Sequence, residues 1–308
     1  MLTRRNFLHR SVAASSALMV PNWVKSNSVF AQEISHLVIL HTNDVHSRIE
    51  PFPEDGSRNA GQGGAALRAK MIQDIRDTNE HVLLLDAGDI FQGTPYFNFF
   101  LGELEFKLMS AMGYDAATIG NHDFDGGIEN LEKQLREHAD FPMIISNYQF
   151  DDTVMHERHL KRKVFQRGEL KIGVTGVGIA LDGLVPDALY GQTRYLDPIA
   201  HATKQADILK HDEQCDLVIC LSHLGYKYNS NKVDDHKLAQ NSRSIDIIIG
   251  GHTHTFMNQP DYLRNKDGQT VIVHQVGWAG IRLGRIDIAF EKNKKGKCVT
   301  CEGLWVKE

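Results

Sequence analysis

Five short segments of this 308-residue chain carry side chains that could bind metal ions, and each follows a short apolar run. Carboxylate, imidazole and amide groups are ligands of divalent metals, and 16 His residues make imidazole plentiful here. Taken singly, each segment is explained equally well by turn or helix-capping chemistry. Five of them at successive strand ends predict one shared site. The segments contain Asp44-x-His46, Gly88-Asp89, Gly120-Asn121-His122, Ser222-His223 and Gly251-His252-x-His254.

The elements that must position these side chains are apolar runs alternating with helical patterns. This order predicts an α/β fold, and runs that are apolar throughout predict strands covered on both faces. After residue 271 the pattern predicts an antiparallel hairpin with a turn at 293–296. One domain from 33 to 308 is expected, since no linker or repeat interrupts it. Strands are predicted at 36–40, 82–85, 116–119, 143–145, 172–177, 217–221, 245–249, 271–273, 283–290 and 300–306, and helices at 65–76, 98–112, 127–139 and 198–211.

The whole series of loops resembles the calcineurin-like metallophosphoesterase superfamily. Thr42-Asn43-Asp44-Val45-His46 and Gly88-Asp89-Ile90-Phe91-Gln92-Gly93-Thr94 resemble the catalytic domain of 5'-nucleotidases in particular. The matching segments run from about residue 36 to 290. The resemblance implies a four-layer α-β-β-α sandwich, in which two mixed β-sheets are flanked by helices and the metal centre lies at the sheet edges.

The resemblance also implies a centre of two divalent metal ions. A bridging carboxylate holds two such ions about 3.5–4 Å apart, where they activate water and polarise a phosphoryl oxygen. The mixed ligand set suits Zn, Mn, Fe or Co and does not choose among them. Carried over residue by residue, it assigns Asp44, His46 and His254 to one ion, Asn121, His223 and His252 to the other, and Asp89 to both.

His122 and Asp125 have a catalytic role in this interpretation. An imidazole beside a phosphoryl group can neutralise developing charge or protonate the leaving oxygen, and a carboxylate three residues on can orient it. The resembling family carries a His-Asp dyad at these positions, although a helix cap would also explain Asp125. At Asp123 the family often carries Glu.

The N-terminus is typical of an export signal. Thr3-Arg4-Arg5-Asn6-Phe7-Leu8 is a twin-arginine pattern, an apolar run at 11–20 follows, and small residues near Ala31 suit a signal peptidase. The run is too short to span a bilayer, which needs about 20 residues. We therefore expect residues 1–31 to be a signal peptide and the mature protein to be periplasmic or extracellular, without a membrane span.

Removal of that segment would take away four cations and no carboxylate, which changes the formal charge from -5 to -9. Such an acidic domain lacks the basic surface that nucleic-acid binding needs. Cys298 and Cys301 could form a local disulfide in an oxidising compartment. The aromatic cluster at 96–100 could stack on a base, but core packing of a helix is the favoured interpretation.

The sequence leaves the substrate open. Typical 5'-nucleotidases carry a second domain that recognises the nucleoside, and we expect none in this chain. A hydrolase of nucleotides or other small phosphate esters is therefore the first interpretation, and a catalytic half completed by a separately encoded substrate-binding domain is the second. A non-catalytic metal or phosphate-binding scaffold and a thiosulfohydrolase-like enzyme are the alternatives.

Overall fold

The computed structural model describes residues 34–291 and 297–307. The predicted signal peptide, the predicted turn at 293–296 and the side chain of Cys298 lie outside the described residues. The strands are β1 (Ile34–Thr42), β2 (Val82–Asp86), β3 (Ala116–Ala117), β4 (Tyr148–Gln149), β5 (Arg162–Arg167), β6 (Leu170–Gly178), β7 (Arg194–Tyr195), β8 (Leu217–His223), β9 (Ile247–Gly250), β10 (Asp261–Arg264), β11 (Thr270–His274), β12 (Arg282–Glu291) and β13 (Lys297–Trp305). The α-helices are α1 (Ala65–Thr78), α2 (Pro95–Phe100), α3 (Glu103–Met112), α4 (Ile128–His138), α5 (Asp187–Tyr190), α6 (Pro198–Asp207) and α7 (Asp235–Asn241).

Two mixed sheets form the centre of the fold. The first has the strand order β13-β12-β1-β2-β3, in which β1, β2 and β3 are parallel and the predicted hairpin β12–β13 is antiparallel. The second has the order β10-β11-β9-β8-β6-β5, with four parallel strands between two antiparallel edges. The parallel strands of each sheet therefore end together, and their loops emerge at one edge.

Alternating side chains of β1 show how the layers are arranged. Leu37 and Ile39 belong to an apolar cluster that joins the first sheet to strands of the second, so the two sheets pack face to face. Val38 and Leu40 point the other way, into a cluster with helices α1 to α4. The outer face of the second sheet packs on α6 and α7. The predicted four-layer sandwich is confirmed.

The predicted helix at 98–112 is wrong, because it is broken into α2 and α3. Leu101 and Gly102 adopt left-handed backbone angles (φ of 52° and 98°), and Gly102 lies against the ring of Phe91, where no Cβ would fit. Phe97 is buried, but Phe99 is 80% exposed, so core packing does not hold for the whole aromatic cluster.

Three other boundaries differ from the prediction. Residues 143–145 form single bridges, Met143 to Ala117 and Ile144 to Leu160, instead of a strand, because the segment runs between the two sheets. The helix predicted at 198–211 ends at Asp207 and continues as one π-helical turn, Ile208–Asp212. The predicted strand at 116–119 shortens to two residues. Sequence reasoning also missed strands β4, β5, β7 and β10 and helices α5 and α7.

A pair of buried histidines joins the two sheets just below the site loops. His41 at the end of β1 and His274 at the end of β11 are both 0% exposed, and Nε2 of His41 lies 2.9 Å from Nδ1 of His274. Burial, and then the charge of Arg282, lowers the pKa of His274 to about 4. Burial and His274 likewise lower the pKa of His41. Both rings are therefore neutral at neutral pH.

The break at Gly102 gives a first prediction. Gly102→Ala should lower the free energy of unfolding by roughly 2–4 kcal/mol, because a left-handed angle and a clash with Phe91 act together. Gly268→Ala is the matched control: Gly268 also has a positive φ (71°), but nothing lies within 4 Å of the added Cβ, so it should cost only about 1–2 kcal/mol. Urea unfolding measures both, and equal losses would show that the clash is absent.

The histidine pair gives a prediction about pH. The folded-state pKa of His274, about 4, is below the value of about 6.5 in an unfolded chain, so the unfolded state binds a proton that the folded state rejects. The stability that neutral His274 provides is thus complete above pH 6.5 and is lost as pH falls toward 4. His274→Gln should reduce this slope by up to about 1.4 kcal/mol per pH unit.

Urea unfolding in EDTA at several pH values measures the slope. Above pH 7 the curves of wild type and variant should run parallel, which serves as the internal control. Identical slopes between pH 4 and 6.5 would contradict the burial effect.

Candidate metal centre

The structure brings all nine sequence-predicted site residues together. Asp44 and His46 follow β1, Asp89 follows β2, the segment at 121–125 follows β3, His223 ends β8, and His252 and His254 follow β9. Each sheet thus delivers its ligands from the carboxyl ends of parallel strands, and the two edges face one another across the site. The convergence depends on the sheet packing, because Asp44 and His254 are 210 positions apart in the chain.

The first triad consists of Asp44, His46 and His254, whose ligand atoms lie within 4.8 Å of one another. Nε2 of His46 lies 3.0 Å from Nε2 of His254, and Oδ1 of Asp44 lies 3.5 Å from the latter. Two imidazole nitrogens that face each other so closely direct their lone pairs at one point. A single ion at that point would satisfy both rings.

The second triad consists of Asp89, His223 and His252, with the same spacing. Oδ1 of Asn121 joins it at 2.8 Å from Nδ1 of His252. Oδ2 of Asp89 lies 3.0 Å from Nε2 of His223 and 3.8 Å from Nε2 of His46, which places it between the two triads. This is the position that a bridging carboxylate requires.

Unusual backbone conformations aim these side chains. Asp44, His46, Asp89, His252 and His254 all have left-handed φ angles, between 50° and 72°. Such angles cost roughly 1–3 kcal/mol each in residues other than glycine and concentrate at functional sites. Hydrogen bonds between the loops stabilise them: the backbone N–H of Asp44 and of His46 donate to the carbonyls of Gly88 and Asp89.

Hydrogen bonds also fix the orientation of two rings. Nδ1 of His223 lies 2.7 Å from the carbonyl oxygen of Ala87, and Nδ1 of His46 lies 3.3 Å from that of Phe91. With Nδ1 of each ring held by a carbonyl oxygen, Nε2 is the nitrogen directed into the site. Against the effect of burial, Asp89 and Asp44 raise the pKa of His223 to about 10, so a bound ion would replace the proton on its Nε2. Nε2 of His223 is buried, lies 3.0 Å from Oδ2 of Asp89 and has no well-formed hydrogen bond among the described residues. A buried orphaned nitrogen beside two carboxylates fits a divalent metal ion.

The protonation states of His252, His254 and Asp89 also suit metal binding. Burial, followed by the charge of His223, lowers the pKa of His252 to about 3. Burial and His46 lower the pKa of His254 to about 4. Asp89 behaves in the opposite way to a simple buried acid: burial favours its neutral form, but His223 and His46 bring its pKa well below the ordinary range. Neutral imidazoles and an ionised carboxylate are the forms that bind metals.

His122 and Asp125 form a pair at the open side of the cluster. Nδ1 of His122 lies 2.8 Å from Oδ2 of Asp125, and the His122 side chain is 38% exposed. The hydrogen bond that Nδ1 of His122 donates to Asp125 raises the pKa of His122, with burial opposing and the charge of Asp89 assisting. The ring of His122 also lies edge to face with that of His46, at 5.2 Å between centroids. An imidazole that can carry a proton thus lies beside the first triad.

Asp123 is a site residue that sequence reasoning missed. Its carboxylate is 0% exposed and accepts hydrogen bonds from the backbone N–H groups of Asp89, Ile90, Phe91 and Gly120, at 2.8–3.2 Å. It therefore ties the loop that carries Asp89 to the loop that carries Asn121. The signals were its place two residues after Asn121 and the Glu that the resembling family often carries there, but Asp123 also resembles an ordinary helix-start residue.

The Asp123 clamp gives a prediction. Asp123→Asn should lower the free energy of unfolding by about 2 kcal/mol or more, because its amide group would face N–H donors that need an acceptor. Release of the Asp89 loop should also reduce bound manganese, which elemental analysis measures. Asp123→Glu is the control, since it keeps both acceptor oxygens and should retain more metal. Equal metal content in all three proteins would rule out a positioning role.

Comparisons with known proteins agree with this geometry. The profile of the calcineurin-like phosphoesterase family matches residues 37–256. A snake venom 5'-nucleotidase of Gloydius brevicauda is 32% identical over 286 residues, which is 87% of this chain and 47% of that protein. The chain thus spans about half the length of the curated relatives that it matches.

Solved structures show the same relation. The NAD nucleotidase of Haemophilus influenzae matches with a TM-score of 0.78 and 26% identity, over 89% of this chain and 51% of the other. A 5'-nucleotidase precursor of Thermus thermophilus matches with a TM-score of 0.78 and 27% identity, over 89% and 55%. Sequence, fold and the two facing triads lead to one conclusion: the chain belongs to the calcineurin-like phosphoesterase family.

Proposed function

We propose that the protein hydrolyses nucleotides or other small phosphate esters with two divalent metal ions, and that the seven residues assigned above bind them. The observation that carries the proposal is the pairing of His122 with Asp125 beside the buried Asp89. A hydrolase needs such a proton donor, whereas a scaffold that only bound metal or phosphate would not. The relatives named as 5'-nucleotidases make a nucleotide the first substrate to test.

Different residues of the chain bind the ions, orient His122 and donate the proton. When bound, the two ions would polarise the phosphoryl group and lower the pKa of the attacking water. Asp125 holds Nδ1 of His122, which leaves Nε2 free to give a proton to the leaving oxygen. The backbone N–H of His122 donates to Oδ1 of Asp89 at 2.8 Å. The residue that supplies the acid is therefore hydrogen-bonded directly to the proposed bridging carboxylate. Movement of one would disturb the other.

Export and a partner belong to the same proposal. The twin-arginine pattern supports export, and no helix among the described residues is long and apolar enough to cross a membrane. Replacing Arg4 and Arg5 with Lys should retain the protein in the cytoplasm, as cell fractionation would show.

A separate substrate-binding domain is proposed because the relatives extend well beyond the region they share with this chain.

His122 gives the mutational prediction. His122→Ala should keep both metals and lose about 10²- to 10⁴-fold in kcat, because a side-chain acid is removed while the ligands stay. Asp89→Asn should instead lose metal and turnover together. Elemental analysis and steady-state kinetics on p-nitrophenyl phosphate separate the two effects. Unchanged kcat in His122→Ala would show that the assigned acid is wrong.

The proposed function itself is tested with purified protein loaded with Mn, Zn, Co or Fe. The substrates are 5'-nucleotides, 2',3'-cyclic nucleotides, nucleotide sugars and p-nitrophenyl phosphate, with His122→Ala as the matched control. Hydrolysis that depends on added metal and on His122 supports the proposal. A metal-loaded protein that cleaves none of these esters would favour the scaffold interpretation.

A further inference from the structure

A lysine in the loop that follows β8, at the rim of the metal centre, has no ion-pair partner among the described residues. Lys232 lies in the loop between β8 and α7, and its Nζ lies 4.8 Å from the centre of the Tyr228 ring. The side chain is exposed, and among the described residues it forms no ion pair with a carboxylate. Nearby Lys237 is different, because Asp234 neutralises it. Lys232 is thus a free positive charge held on an aromatic face.

Tyr228 is fixed close to the ligands. Its hydroxyl donates to the carbonyl oxygen of Leu224, the residue after His223, at 2.9 Å. Its backbone N–H donates to the buried carboxylate of Asp234 at 2.8 Å. The ring covers Gly225, where a Cβ would meet both the Tyr228 hydroxyl and the methyl group of Thr253. Thr253 lies between His252 and His254, so the ring that supports Lys232 lies close to the loop of both ligands.

The loop position of Lys232 and the contacts of Tyr228 place a positive charge beside the loops that carry His223 and His252. Partial burial lowers the pKa of Lys232, although the residue as a whole remains exposed. An ammonium group with spare hydrogen-bond donors and reduced hydration is suited to an anionic oxygen. A phosphate group is the anion that the proposed function brings to this rim.

We propose that Lys232 binds phosphate oxygens of the substrate at the rim of the metal centre, with Tyr228 holding the ammonium group in place. The inference rests on the proposed function for the identity of the anion, but binding can be measured without turnover. Since the two ions and His122 serve the phosphoryl group that is cleaved, Lys232 adds a contact on the side of His252. That contact would favour esters with more negative charge near the reacting phosphorus.

The test measures binding of orthophosphate and of pyrophosphate to the full chain loaded with Mn²⁺, by isothermal titration calorimetry. Lys232→Ala should weaken at least one of the two anions about three- to tenfold, as expected for a partly exposed charge pair. Lys232→Arg should recover much of the affinity because it keeps the charge. Loss of orthophosphate binding places the contact at the reacting group, and loss of pyrophosphate binding alone places it at a second phosphate.

Lys227→Ala is the matched control, since Lys227 is an exposed lysine of the same loop. If Lys227→Ala weakens binding as much as Lys232→Ala does, anion binding depends only on the overall positive charge of the loop, and the inference is wrong. Unchanged binding of both anions in Lys232→Ala, or a loss of bound Mn²⁺ in that variant, would also overturn it. A wild-type protein that binds phosphate through Lys232 but hydrolyses no ester would contradict the proposed function alone.

Discussion

Burial of negative charge beneath one sheet edge is the constraint on which the site depends. Asp44, Asp89 and Asp123 are each at most 1% exposed, and a carboxylate in such surroundings needs hydrogen bonds or positive charge. Backbone N–H groups surround Asp123, and imidazoles surround Asp89. Asp44 has less support, and burial raises its pKa to about 8 despite the nearby His223. Buried carboxylates with too little compensating positive charge are unfavourable in a structural core. They suit a centre that binds cations, because bound cations would offset the repulsion between the carboxylates.

Strained backbone conformations allow the side chains of the proposed ligands to converge. Five of the proposed ligands occupy left-handed conformations, and Gly120 lies so close to Asp89 that any side chain there would displace the carboxylate. The sheets compensate through buried strands and through the cross-sheet pair of His41 and His274. Hydrogen bonds hold the buried carboxylates in place, whereas His122 has a side chain that is 38% exposed and Lys232 is exposed, so these two can meet a substrate.

Sequence patterns predicted the fold class because burial imposes a regular spacing on the apolar residues of helices and strands. Runs such as 217–221 are apolar throughout, which is possible only for a strand covered on both faces, and β8 fulfils this prediction. The pattern failed where tertiary contacts override it. The ring of Phe91 breaks the helix predicted at 98–112, and β5 was missed because its six residues mix charged and apolar side chains at a sheet edge. Neither feature has a period that local sequence could show.

By itself the sequence determined which side chains follow the strands, because residue type and spacing are local properties. It therefore supplied the candidate ligands, the His122 and Asp125 pair, and the α/β class, with the family resemblance adding the assignment to two ions. Only the tertiary structure decided that Asp89 lies between two triads, that Asp123 ties two loops together, and that Lys232 lies beside Tyr228 with no ion-pair partner in the described part of the chain. These are relations between segments far apart in the chain, and the packing of the two sheets alone fixes the distances between them.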